Sequence, residues 1–458
     1  FMRAEYGYKY KYLISGLIRR DGSTKFGPNN RYGIFPTVSG AWVFSEEDFF
    51  TVPVITFAKL RASYGVSGND QIQNFAYRAQ LNGEGVYVYD DVIRQGVALG
   101  RASNSDLKWE TTRQLNIGLD LTFFEAFNFT TNFFVKNTND LLFQPDVSGV
   151  IGSYGPGGQP PIINAGDVSN TGLEIELGYS TDPRNDLVFS SNFNMTALSN
   201  KVTAVPEGVD YLPGASFGVG GNIATRFEEG YAIGYFNGLE TDGVFQSQAE
   251  IDALDEAAPD GVFQEGAQVG DLKFVDQNGD GEINFTDESD NVELGSPIPD
   301  FTFGLNLNLE YMGFDFSANV YSAIGQEIIR NYERQQPYAN QLNYVIDRWT
   351  GGNPSEENPR LTTAATQNTV FSDYYVEDGS FVRLRNVQLG YTLPESLMDK
   401  IKVGSIRVYV SANNLVTLTN YLGYDPDIGS SGGTLSAGVD YGFYPQARTF
   451  MGGINVKF

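Results

Sequence analysis

Between Asp276 and Asp287 the chain reads DQNGDGEINFTD, a spacing that could gather oxygen ligands around a hard divalent cation. A calcium loop of the EF-hand type needs oxygen donors at positions 1, 3, 5, 7 and 12, a glycine at 6 for the sharp turn and an apolar residue at 8. Asp276, Asn278, Asp280, Gly281, Glu282 through its backbone carbonyl, Ile283 and Asp287 fill those places in register. The expected occupant is a structural Ca2+. Position 12 is Asp where Glu is usual, and its shorter side chain reaches a shared ion less easily in bidentate fashion. A solvated acidic turn is the plainer alternative, because Asp, Asn and Gly are also turn formers.

Neither flank carries the amphipathic helices of a calcium sensor. Upstream, FQEGAQVGDLKFV is interrupted by glycines, and downstream Pro297 and Pro299 stop a helix. The loop therefore reads as a staple within a long irregular segment. From Glu240 to Asp300 there are 17 acidic residues and one basic residue, Lys273. Most of these carboxylates are expected on a solvated surface. A net charge of -26 argues against a nucleic-acid partner, which is held by Lys and Arg, and none is expected. The 458 residues include no His and no Cys, which removes His-based catalytic triads, His-ligated zinc and disulfides. No pair of carboxylates can be singled out for acid-base work, because separation in space decides that chemistry. The chain is read as a non-enzyme.

The elements that position the loop are strands. In FTFGLNLNLEY, Phe301, Phe303, Leu305, Leu307, Leu309 and Tyr311 fall on one face, with Thr302, Asn306, Asn308 and Glu310 on the other. LNIGLDLTF from Leu115, LEIELGYS from Leu173 and LVFSSNFNMTA from Leu187 alternate in the same way. Twelve strands are predicted, at 6–19, 34–44, 57–67, 113–124, 127–136, 171–180, 187–197, 301–311, 314–324, 381–393, 406–418 and 451–458. Every second connection is long, the longest being 198–300. That parity predicts an all-β, transmembrane antiparallel β-barrel, with short turns at one rim and long loops at the other. The apolar faces would meet membrane lipid and the polar faces a wet lumen. Tyr6, Tyr8, Tyr10, Tyr12, Tyr179, Tyr311 and Tyr391 fit interfacial girdles. In VRLRNVQLGYTL the apolar phase slips by one residue near Arg385 and Asn386, which predicts a bulge.

The segments RRDGSTKFGPNNRYGIFPTVSGAWVFSEEDFF, KLRASYGVSGN, LKWETTRQLNIGLDLTFF, SNTGLEIELGY, FVRLRNVQLGYTLP, RVYVSANNLVTLTNY and YPQARTFMGGINVKF together resemble the SusC/RagA-type TonB-dependent transporters of Bacteroidetes outer membranes. The resemblance runs through the whole chain in order. It implies that 1–458 forms the C-terminal portion of a 22-stranded barrel, contributing its last twelve or so strands. The plug, the TonB box and the first ten strands would lie elsewhere on the polypeptide, and FMRAEYGYKYKYLISGL at the start already reads as a strand in progress. It further implies an integral outer-membrane protein with extracellular loops, a SusD-like surface lipoprotein as lid, TonB as energy partner, and a glycan or peptide as substrate. Under that orientation 198–300 is extracellular, and the calcium loop would order a segment that has no evident core of its own. Tyr154, Tyr211, Phe217 and Tyr441 lie in long loops where aromatic rings could stack on sugars, although packing within the loops is the more ordinary use. Two other readings remain at this stage: a passive porin or structural barrel, and a soluble calcium-dependent β-protein, whose apolar stripes would need a covering sheet.

Overall fold

Strict alternation gives each strand one apolar and one polar face, and the strands pair in chain order into a single antiparallel sheet. The computed structural model describes all residues except 83–84, 145–157, 183–185, 219–220, 334–339, 365 and 431. Thirteen strands form the sheet. They are β1 (Met2–Tyr8), β2 (Tyr12–Gly22), β3 (Tyr32–Trp42), β4 (Ile55–Asn69), β5 (Glu110–Phe123), β6 (Phe127–Asn139) and β7 (Asp167–Ser180). The rest are β8 (Leu187–Ala204), β9 (Phe301–Tyr311), β10 (Phe314–Ile324), β11 (Phe381–Thr392), β12 (Ser405–Thr419) and β13 (Thr449–Lys457). β1 and β13 are its edges. Among the described residues no helix is long and apolar enough to cross a membrane.

The strand expected at 6–19 is in fact a hairpin. Lys9 and Tyr10 take left-handed backbone conformations, with φ of 52° and 56°, and the amide of Lys11 returns to the carbonyl of Tyr8 at 3.0 Å. No Gly, Asn or Pro marks this turn, so an unbroken strand was the natural reading. The turn after β5 uses the same device at Phe124 and Glu125, with φ of 51° and 59°. The thirteenth strand extends the parity of the connections: 9–11, 124–126, 181–186 and 312–313 are short and lie at one rim. One connection is an exception, since 23–31 is no longer than the turns 43–54 and 393–404 on the opposite rim. The expected bulge is present. Where β11 pairs with β10, Asn386 lies opposite Asn319 and Leu384 opposite Val320, which leaves Arg385 as the extra residue, and the register also shifts here against β12.

Among the described residues no second layer covers one face of the sheet. Ile117, Phe133, Leu389, Val410 and Phe450 are all exposed on it, an apolar surface that lipid can cover and water would penalise. Rings collect at the short-turn rim, with centroids 4.5 Å apart for Phe127 and Tyr179 and 4.5 Å for Phe314 and Tyr391. This is the girdle that Tyr179 and Tyr391 were expected to join. At the same rim Glu47 accepts from Tyr12 Oη at 2.6 Å, Trp42 Nε1 at 3.0 Å and Lys11 Nζ at 3.2 Å. The Tyr12 hydroxyl foremost, then Trp42 and Lys11, hold its carboxyl down at about 2. A depressed carboxylate stabilises the fold above its ordinary pKa and ceases to do so as pH falls through the depressed one. Protection of the 43–54 amides, measured against their intrinsic exchange rates, is therefore expected to fall between about pH 4.5 and 2. In Glu47→Gln that acid-dependent loss of protection should disappear; if it persists unchanged, Glu47 does not hold the turn.

The buried core lies off the sheet, in a cap made by the long connections. Phe217, Ala224 and Phe236 from 205–300 pack with Ile329, Phe371 and Tyr375 from 325–380 and Val439 from 420–448. A second cluster joins Ala165 and Val168 to Val202, Leu212, Phe227 and Leu435. β8 runs beyond its expected end at 197 to Ala204 because its last turn of chain, with Val202 fully buried, enters this cap.

Candidate functional site

The acidic loop hangs between two short strand pairs of the cap. Before it, Leu272–Phe274 pairs with Thr241–Val244; after it, Asn291–Gly295 pairs with Tyr235–Leu239. Ile283, at the apolar position of the motif, donates its amide to Phe263 O at 2.7 Å and packs with Leu239, Val244, Leu272 and Phe274. This cluster corrects the expectation that the segment lacks a core. Its apolar residues are scattered without a period, so no strand or helix pattern reveals them. Helix α1 (Gln248–Ala257) also lies in the segment, capped by the Ser247 hydroxyl accepting from the amide of Glu250.

Within the loop, side-chain oxygens fold back onto the backbone. Asp276 accepts from the amides of Gly279 at 2.7 Å and Gly281 at 2.8 Å. Gly279 and Gly281 have φ of 76° and 91°, a region where glycine is nearly free of strain. Asn278 Oδ1 accepts from the amide of Asp280 at 2.8 Å, its Nδ2 donates to Asp280 Oδ2 at 2.8 Å, and Asp280 Oδ1 accepts from the amide of Glu282 at 3.0 Å. Asp276, Asn278 and Asp280 therefore occupy one turn. The side chain of Glu282 turns away to the amide of Asp260 at 3.2 Å, which agrees with a role through its carbonyl alone. Asp287 is exposed and accepts from the amide of Ser289 at 3.0 Å; that serine's hydroxyl and amide hold its carboxyl below the ordinary range. Among the described residues, no three acidic side chains stand together in a way that could hold a metal. Each carboxylate in the turn still has lone pairs beyond those its amide bonds use.

The organising carboxylate is one that the motif did not single out. Asp290, 0% exposed, accepts from the amides of Gln277 at 3.1 Å, Asn278 at 3.4 Å and Asn284 at 3.0 Å. It ties the start of the loop to its end, and it lies three residues past the last motif position, where spacing gives no signal. Outside the loop, Arg226 reaches Glu288 at 2.6 Å and stacks over the Tyr211 ring at 4.0 Å. Tyr211 is thus engaged in local packing, as is Phe217, which is buried among Phe371 and Tyr375. Tyr441 is exposed, and Tyr154 lies outside the described residues.

The other functional surface is the polar face of the sheet. Ser15 and Ser39 hydroxyls lie 2.7 Å apart, Asn116 donates to Ser63 Oγ at 3.3 Å, and Arg61 pairs with Asp120 at 3.1 Å. A hollow of about 590 Å³ opens over Ser15, Ser39, Arg61, Ser63 and Asn116. A wall that is apolar outside and hydrogen-bonding inside is that of a transmembrane β-barrel with a polar interior.

The profile of the family described as "TonB dependent receptor-like, beta-barrel" matches residues 1–415. The chain belongs to that family. It is 34% identical over 476 residues to TonB-dependent receptor P3 of Formosa agariphila, covering 100% of this chain and 45% of that protein. It is 27% identical over 473 residues to TonB-dependent receptor SusC of Bacteroides thetaiotaomicron, covering 100% of this chain and 43% of SusC. Among solved structures it superposes on a chain of the RagAB peptide transporter with a TM-score of 0.79 at 25% identity, covering 100% of this chain and 47% of that one. The resemblance read from the sequence is thereby established, as are the all-β barrel fold and the outer-membrane location. The chain spans about half the length of the relatives it matches.

Proposed function

We propose that the protein takes part in active import of a large nutrient, an oligosaccharide or peptide, across the outer membrane. A SusD-like surface lipoprotein would close over the long-loop rim, and TonB would supply the energy. The observation that carries this reading is the cap. Connections 205–300, 325–380 and 420–448 share one hydrophobic core, and a rigid, interlocked platform suits a partner that must dock and lift repeatedly. A passive pore needs no such platform. The kinship with SusC and with the RagAB transporter supports the same reading. Purification of the full-length protein from outer membranes in mild detergent, followed by mass spectrometry, tests it. A lipoprotein in stoichiometric yield and a plug-bearing N-terminus on the same polypeptide are expected; recovery of a barrel with neither would overturn active import and leave a porin or structural barrel.

The acidic loop is proposed to bind Ca2+ as a structural ion within this cap. Asp276, Asn278 and Asp280 would supply side-chain oxygens, Glu282 its carbonyl and Asp287 the closing carboxylate. The support lies in the motif's register, the glycine turn and the anchored Ile283. Saturating Ca2+ at a hundredfold excess over its dissociation constant should stabilise the loop by about 2.7 kcal/mol. Limited proteolysis is expected to cut within 276–290 in chelator and to spare it in Ca2+, with Asp276→Ala abolishing the difference. Equal cleavage with and without Ca2+ would show that the loop is held by Asp290 and its amides alone.

A further inference from the structure

Pairing register places four polar side chains in one row on the outer, lipid-facing side of the wall. Arg113 of β5 lies opposite Asn137 of β6, Asn137 opposite Ser169 of β7, and Ser169 opposite Lys201 of β8. By strict alternation they share the face that exposes Ile117, Phe133 and Leu173. The cap lies on the other side of the same strands, where Val168 and Val202 pair and are buried.

The height of the row sets its surroundings. Toward the short-turn rim the same face carries a parallel row, Phe123, Phe127, Tyr179 and Ser191, and no outward position between the two rows is charged. About ten residues separate the rows; at about 3.3 Å each, on strands tilted by about 40°, they rise roughly 25 Å, the height of the apolar band of such a barrel. The upper row therefore meets the headgroups of the outer leaflet. Arg113 and Lys201 are exposed there, and among the described residues neither has an ion pair or a side-chain hydrogen bond. Arg19, Arg61 and Arg407 of the inner face are, by contrast, paired with Asp21, Asp120 and Asp315. Asp167, two residues nearer the loops than Ser169, is already engaged, accepting from Asn139 Nδ2 at 2.7 Å and the amide of Asp140 at 2.9 Å.

We propose that this row holds the headgroup of a phosphorylated glycolipid of the outer leaflet. Arg113 and Lys201 stand three strand spacings apart, about 14 Å at about 4.8 Å each, and each would take a phosphate. The forked guanidinium of Arg113 can bind two phosphate oxygens at once, and the ammonium of Lys201 serves as a point charge. Between them Asn137 and Ser169 offer neutral donors and acceptors, which match the hydroxyls of sugar rings lying between two phosphates. A phospholipid headgroup with one phosphate would engage one cation and leave the middle of the row unused. Arg20 of β2, stacked over the Tyr32 ring at 4.2 Å, adds a further cation near the same rim. The proposal needs the outer-membrane location alone and stands apart from the import reading.

Native mass spectrometry of the full-length protein in mild detergent, titrated with diphosphorylated lipid A and separately with phosphatidylglycerol, tests the proposal. Lipid A is expected to bind the wild type about tenfold more tightly than it binds Arg113→Gln/Lys201→Gln. Asn137→Ala/Ser169→Ala should weaken lipid A by about threefold and leave phosphatidylglycerol unchanged. Arg113→Lys/Lys201→Arg keeps both charges and should retain most of the binding. Heat-dependent electrophoretic mobility checks that each barrel folds. Equal lipid A affinity in Arg113→Gln/Lys201→Gln, or phosphatidylglycerol held by the wild type as tightly as lipid A, would overturn the proposal. A dimer that the wild type forms and this variant loses would assign the row to a second copy of the chain and overturn it as well.

Discussion

Asp271→Ala is expected to loosen the cap by about 3–5 kcal/mol, the cost of leaving a buried charge without its partner. Asp271 is 2% exposed and joins two connections of the sheet. Its carboxylate accepts from Arg360 Nε at 2.7 Å and Nη2 at 3.1 Å, from Asn368 Nδ2 at 2.9 Å and from the amide of Gln268 at 3.0 Å. Backbone bonds run through the same point: the amide of Arg360 donates to Gly270 O at 2.6 Å, and that of Leu272 to Asn368 Oδ1 at 2.8 Å. Alanine would strand the Arg360 guanidinium and the Asn368 amide at once. Asp271→Asn keeps the shape while losing the charge, so a smaller loss is expected. Hydrogen exchange measured over 262–285 and 349–371 should rise in both variants, most in alanine, while β9 and β10 stay protected. Unchanged exchange in these loops would mean that the hydrophobic clusters alone hold the cap.

The sheet was legible because lipid on one side and water on the other impose a period of two on every strand. β9 and β10 begin and end where alternation places them, at 301–311 and 314–324. Legibility failed where geometry is set by something other than alternation. The turn at Lys9 and Tyr10 bends through left-handed residues that are not turn formers, a conformation the flanking ladder enforces at some cost in strain. The cap is built from contacts between residues far apart in sequence, such as Phe217 with Phe371, whose ring centroids lie 5.3 Å apart, and nothing local announces them. In the acidic loop the first turn was readable from its glycines and oxygens. Asp290 was not, because its role comes from burial and from three amides that converge only in the folded chain.

The bulge at Arg385 shows how a feature readable in the sequence can serve a contact that was not. Beside it Arg383, 2% exposed, turns its guanidinium to the 420–448 connection, pairing with Asp425, with Asp427 at 3.2 Å and with Thr417 Oγ1 at 2.9 Å. Asp425 is itself buried and accepts from the amides of Asp427 at 3.0 Å and Gln446 at 2.8 Å. The arginine therefore fastens the last long connection to the barrel wall. Arg383→Met should release 420–448, at a cost of about 3–5 kcal/mol, because the buried Asp425 carboxyl would lose its charged partner. Arg383→Lys keeps the charge but not the forked geometry, and an intermediate loss is expected. The decisive comparison is the double variant Arg383→Met/Asp425→Asn. Removing both charges should cost less than Arg383→Met alone, since an uncharged amide tolerates burial better than an unpaired carboxylate. Exchange rates across 420–448 in these three variants and in Asp425→Asn measure this order; single losses that simply add in the double variant would show that the two side chains are not coupled and that the connection is held elsewhere.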